Sequence, residues 1–122
     1  MRVRCIKIVH QQTGETVPEY PGVRVGSVCT VLEMITGPDY WMIRVLDEDD
    51  EDDDPGSLWD PEMFETIDAQ VPPSWTLVLQ DGHMRLAPAL WQRPGFWNDY
   101  FDKVPQALAD FRTAKHELLN SA

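Results

Sequence analysis

The residues of this chain best placed to do chemistry are carboxylates: Asp47, Glu48, Asp49, Asp50, Glu51, Asp52, Asp53 and Asp54 follow one another without interruption. Clustered carboxylates can take a hard cation, and Glu51, Asp53, Gly56 and Glu62 fall at positions one, three, six and twelve of an EF-hand loop. Pro55 occupies position five of that register, and the flanking sequences read as strands instead of the two helices an EF-hand needs. No specific metal is therefore expected, with weak, nonspecific divalent binding as the residual metal chemistry. As a solvated loop over residues 47–56, the run repels itself and buries nothing, and its field reaches about a Debye length, roughly 8 Å at physiological salt. Two roles remain: a solubilising hairpin tip, or a surface that a basic partner meets first.

The other reactive residue types are scattered. His10, His83 and His116 fall at a strand end, beside a turn and in a terminal helix, with no H-x-x-x-H or C-x-x-C spacing to hold zinc. Cys5 and Cys29 sit in apolar, strand-like contexts where reduced thiols act as small hydrophobes, so both are expected reduced and in the core. A Cys nucleophile with a His base is adjacent only in space, so the sequence leaves that enzyme reading as the third choice. No serine lies in a G-x-S-x-G elbow and no glycine-rich phosphate loop precedes a helix. No catalytic residue and no cofactor is expected.

Composition narrows the class further. The chain has 21 Asp+Glu against 10 Lys+Arg; without the run of eight the balance is 13 against 10, and the net charge falls from −11 to −3. The acidity is thus local, and the absence of a basic stripe argues against direct nucleic-acid binding. With 122 residues, 43% of them hydrophobic, and five Trp, one domain spanning 1–122 has ample core material. The start MRVRCIKIVHQQ carries charges where a signal peptide needs apolar residues, and no apolar run of about 18 residues follows, so a cytoplasmic location without membrane contact is expected.

These residues must be positioned by short strands. The alternation of Val3, Cys5 and Ile8 predicts a strand over residues 2–9, and the β-branched series from Val23 to Ile35 predicts a long strand relieved by a bend at Gly26. Tyr40 to Leu46 reads as a third strand that runs into the acidic segment. Asp60-Pro61-Glu62 supplies a cap, a first-turn proline and a first-turn carboxylate for one helical turn. Asp81-Gly82 is the two-residue hairpin signal, joining a strand from Trp75 to His83–Ala87 through a type I′ turn. An aromatic connector follows, and Pro105 opens a helix over 105–119 with Leu108, Phe111, Ala114 and Leu118 on one stripe. The expected fold is mainly β with one C-terminal helix: a small bent antiparallel sheet, or an SH3-like partly open barrel, packed by that helix.

In so small a domain most tryptophans fill the core, and Trp75, alternating with Leu77 and Leu79, is read that way together with Phe96 and Trp97. Trp59, five residues after the acidic run and next to Asp60, is read as an anchor for a basic, partly apolar patch, and Trp41 flanks the run from the other side.

The run G-V-R-V-G-S-V-C-T-V-L-E (Gly22 to Glu33) resembles the G-x-x-x-G-x-x-Y-x-V-L opening of small bacterial SH3-like barrel proteins, with Cys29 where that family often has Tyr. P-P-S-W (Pro72 to Trp75) and P-G-F-W-N-D-Y-F-D (Pro94 to Asp102) with its following helix are similar to small acidic bacterial proteins encoded beside secreted toxins. The resemblance covers about a third of the chain and implies immunity: tight binding to a basic protein, a secreted toxin domain, without catalytic residues. The expected function is accordingly a protein-binding inhibitor using Asp47 to Asp54, Trp41 and Trp59. A nucleic-acid mimic ranks second, because its carboxylates should spread along one face at duplex-like spacing and here they crowd one loop.

Overall fold

A computed structural model of the chain describes residues 1–47 and 55–120. Its organising element is the nine-residue strand β4 (Val28–Thr36), rich in β-branched residues. Antiparallel to β4 on one side runs β5 (Trp41–Asp47), which in turn pairs with β6 (Ser57–Trp59). The other side of β4 is shared. Its first half pairs with β1 (Arg2–Cys5), backed by β7 (Phe64–Asp68), and its second half with β9 (His83–Pro88), backed by β8 (Trp75–Gln80). A small separate ribbon joins β2 (Ile8–Val9) to β3 (Thr16–Val17). Three strands end the sheet, so it is bent but not closed into a barrel: the mainly β fold with a long C-terminal helix is present, and the SH3-like barrel form is not.

Two strands are shorter than the alternation predicts, for backbone reasons. The expected strand over 2–9 breaks at Ile6 and Lys7, whose N–H groups both turn to the Met63 carbonyl, at 2.8 and 3.4 Å. The expected strand from Val23 begins only at Val28, because Gly22 and Gly26 both take positive φ, near +90°, and the intervening chain forms a turn. At the hairpin, Asp81 and Gly82 have φ of 52° and 77°, the type I′ requirement, with Gln80 opposite His83. Asp60 caps the 3-10 turn Pro61–Met63 by accepting the Glu62 N–H at 2.9 Å.

The aromatic connector contains a helix, α1 (Phe96–Phe101), after a 3-10 turn at Ala89–Trp91. Trp91 is fully buried there, stacked on Phe111 at 5.3 Å and on Phe96 at 6.5 Å. Phe111 belongs to α2 (Pro105–Asn120), whose buried stripe includes Ala107, Phe111, Ala114 and Leu118. Ala107 is fully buried on that stripe, and the expected Leu108 is half-buried beside it.

A β-bulge sets which side chains face that layer. The register passes from Val31 opposite Val45 to Glu33 opposite Arg44, so Leu32 is an extra residue and the alternation of β4 reverses there. Val31 thus faces one side of the sheet and Glu33 the other, towards α1. Glu33 is fully buried, with Oε1 accepting from Arg44 Nε at 3.1 Å and Oε2 from Trp97 Nε1 at 3.4 Å. The Arg44 guanidinium lies 4.0 Å above the Trp97 ring and donates from Nη1 to the Gly56 carbonyl at 3.5 Å. A buried charge stripped of its partner is strongly destabilising, whereas replacing a whole pair by apolar residues is often neutral. Arg44→Met alone should therefore lower unfolding free energy by about 3–5 kcal/mol, and Glu33→Met in the same chain should recover most of that loss. Urea denaturation of the two single variants and the double variant measures the difference.

Candidate protein-binding surface

Residues directly opposite one another in an antiparallel sheet share a face. Two such rows cross the molecule. One runs Trp59, Ile43, Met34, Leu86, Leu77 over β6, β5, β4, β9 and β8, and the other runs Trp41, Thr36, Met84, Leu79 over β5, β4, β9 and β8. The first row is covered at its Trp59 end by the segment following β3: Tyr20 meets the Trp59 ring edge-on at 5.7 Å, and a Cβ on Gly22 would lie 3.6 Å from Trp59 Cζ2. Cover gives out towards β8. Trp59 and Ile43 are 5% and 4% exposed, Met34 and Leu86 half-buried, and Leu77 55% exposed. In the second row Trp41 and Leu79 are 52% and 72% exposed, with half-buried Thr36 and Met84 between them.

The turns at the end of this open face carry acid. Asp39 lies two residues before Trp41, and Asp81 closes β8. The two turns are neighbours, since a Cβ on Gly82 would sit 3.9 Å from Pro38 Cγ. The result is an apolar surface of Trp41, Met84, Leu79 and Leu77 with a carboxylate rim, suited to an apolar patch with basic surroundings.

The residues expected at the site separate accordingly. Trp41 lies on this open surface. Trp59 does not: the reading of Trp59 as an exposed anchor is corrected, because pairing with Ile43 turns its ring inward under Tyr20. Trp41 and Asp47 are not brought together: Trp41 opens β5 and Asp47 closes it, about 20 Å apart at strand rise. Asp47 itself is largely buried and ion-paired with Arg24 at 3.5 Å. Glu48, Asp49, Asp50, Glu51, Asp52, Asp53 and Asp54 lie outside the described residues. Trp75, read as a packing residue, is buried, while Leu77 and Leu79, which alternate with it, are solvent-facing.

The reactive groups stay apart. Cys5 and Cys29 are free and buried; burial pushes the Cys5 thiol up from its ordinary 9.0, against a lesser opposing effect of its hydrogen bond to the Lys7 carbonyl. His10 accepts from the Gln12 and Thr13 N–H groups, His83 meets Tyr40 edge-on at 5.8 Å, and His116 lies on the exposed side of α2. Among the described residues no group of three His, Cys, Asp or Glu could hold a metal, and the groove that contains His83, between Tyr40 and Gln92, holds Asp81 but no cysteine. Among the described residues, no helix is long and apolar enough to cross a membrane.

No protein-family model, curated protein or solved structure matches the chain.

The two tryptophans of the expected site should now behave oppositely in stability. Trp59→Ala removes a buried ring and should cost about 3–5 kcal/mol, whereas Trp41→Ala should change stability by less than about 0.5 kcal/mol. Thermal and urea unfolding report both. For the thiols, a disulfide-exchange reagent at neutral pH should modify the native protein slowly and the denatured protein at once, because burial disfavours the thiolate and excludes the reagent.

Proposed function

We propose that this protein is a binding inhibitor that occludes a basic protein partner, a cytoplasmic immunity protein that neutralises a secreted bacterial toxin domain. The single observation carrying the reading is the apolar row of Trp41, Met84 and Leu79 left open on the sheet beside Asp39 and Asp81. An exposed apolar area rimmed by charge of one sign is what a protein interface of opposite sign requires. The toxin-immunity assignment comes from the resemblance of Gly22–Glu33, Pro72–Trp75 and Pro94–Asp102 to small acidic proteins of that kind.

The division of labour follows from position. Asp47 to Asp54 carry eight of the chain's 21 carboxylates and supply the long-range attraction that raises the encounter rate. Trp41, with a large ring free to be desolvated, sets the lifetime of the complex. Inhibition is by coverage, with no chemical step.

The test is surface-plasmon kinetics against the protein encoded beside this chain, at two salt concentrations. Trp41→Ala should raise the dissociation rate by a factor equivalent to about 2 kcal/mol while leaving association nearly unchanged. Neutralising Asp49, Asp50, Asp52 and Asp53 with Asn should slow association and flatten its salt dependence. Unaltered dissociation for the folded Trp41→Ala protein would remove this surface from the interface.

A further inference from the structure

We propose that β8 is a pairing edge for a second copy of this chain, the two β8 strands running antiparallel about a two-fold axis through Val78. This inference is independent of the identity or existence of a toxin partner. It begins with how the sheet treats its three terminal strands. An exposed strand edge is a template for further pairing, and proteins guard it with shortness, charge, proline or a bulge. β6 has three residues. β7 carries Glu65 and Asp68 and meets β1 across a register shift. β8, Trp-Thr-Leu-Val-Leu-Gln, has six residues, a continuous register with β9 and none of these guards.

Backbone parity makes the edge usable. In the two-residue hairpin Gln80 and His83 form the closing hydrogen-bonded pair, so Val78 and Thr76 also direct their N–H and C=O groups to β9. Leu77 and Leu79 then direct theirs outward, away from the sheet. Pairing about Val78 sets Leu77 opposite Leu79 of the second copy, and Leu79 opposite its Leu77. The two outward-facing residues of each chain thus meet as hydrogen-bonded pairs, which gives about four new backbone bonds. The same register places Thr76 opposite Gln80 and joins the exposed Leu77 and Leu79 side chains of both copies on one face. β8 is self-complementary in backbone and side chain together.

Charge distribution permits the contact in an acidic molecule. Residues 69–80 form the longest stretch of the chain without Asp, Glu, Lys or Arg, in a chain of net charge −11. Asp47 lies opposite Cys29 at the start of β4, whereas β9 pairs with Met34 to Thr36 at its end. That is about 20 Å along β4, more than twice the roughly 8 Å Debye length, with β9 and β8 adding further separation.

Sedimentation equilibrium of the full chain over a wide concentration range tests the proposal. The expected result is a reversible species of twice 14.0 kDa that dissociates on dilution. Leu77→Lys with Leu79→Lys puts like charges directly opposite each other and should yield monomer, while Leu77→Glu with Leu79→Lys restores opposite pairs in this register alone and should return the dimer. Hydrogen exchange on the unaltered protein gives a second reading: the Leu77 and Leu79 amides should gain protection with concentration, and the Val78 amide should be protected at all concentrations. A monomer throughout, a dimer surviving the double-lysine substitution, a folded Glu/Lys variant that stays monomeric, or concentration-independent exchange at Leu77 and Leu79 would each overturn the proposal.

Discussion

The buried guanidinium of Arg44 is the point on which the parts of this molecule converge. It holds β4 through Glu33, α1 through the Trp97 ring, and the start of β6 through the Gly56 carbonyl. Gly56 is itself constrained: its φ is +70° and an added Cβ would lie 2.4 Å from the Val45 carbonyl oxygen, so the chain re-enters the sheet there by a route only glycine tolerates. The arrangement depends on one inserted residue. Without the bulge at Leu32, Glu33 would share a face with Val31, away from Trp97, and the buried carboxylate would face an apolar layer with no donor. A buried ion pair is a poor source of net stability, because desolvation offsets much of its attraction. It is a strong source of specificity here, since a one-residue slip of β4 against β5 would leave two buried charges unpaired.

The same bulge accounts for the uneven cover of the opposite face. It divides β4 into a first half, paired with β1, and a second half, paired with β9. The segment that covers Trp59 is anchored at the β1 end, where the Cys5 carbonyl accepts the Gly26 N–H, the Cys5 N–H donates to the Ser27 carbonyl, and Tyr20 meets Trp59. The β8–β9 hairpin extends beyond that cover, and its outward leucines remain in solvent. An isolated exposed leucine needs no explanation, but a row that passes unbroken from core to solvent across five strands does.

Element types were largely legible in the sequence because they rest on local chemistry. Asp81-Gly82 demands positive φ at both positions, Asp60-Pro61-Glu62 caps a turn, and the spacing of Phe111, Ala114 and Leu118 marks a helix face. What was not legible is set by long-range pairing. Trp59 and Trp41 differ in their cover, which is set by distant segments, so the carboxylate beside Trp59 gave no sign that its ring turns under Tyr20. Leu77 and Leu79 alternate with Thr76 and Val78 as core leucines do, and only the absence of a further strand beyond β8 exposes them. Glu33 and Arg44 are eleven positions apart, and their partnership follows from the bulge, which leaves no trace in composition.

Asp47 and the open apolar row are thus separated within one sheet, and under the proposed function that separation would have a kinetic meaning. Under the proposed function, charge attraction would act over distance, whereas desolvation of Trp41, Met84 and Leu79 would act only at contact. Asp47 and Trp41 stand at opposite ends of β5, so the Asp47 carboxylate is not set against the apolar row, where it would incur a desolvation cost. Pairing of two copies along β8 would be compatible with that division, because edge hydrogen bonds lie in the plane of the sheet and leave its faces free. The proposed dimer would then present Trp41, Met84, Leu79 and Leu77 twice on one continuous surface. A second site on the same body is reached at a high effective concentration when the geometry allows both to engage. A repeated partner would consequently be held longer than either surface alone could hold it.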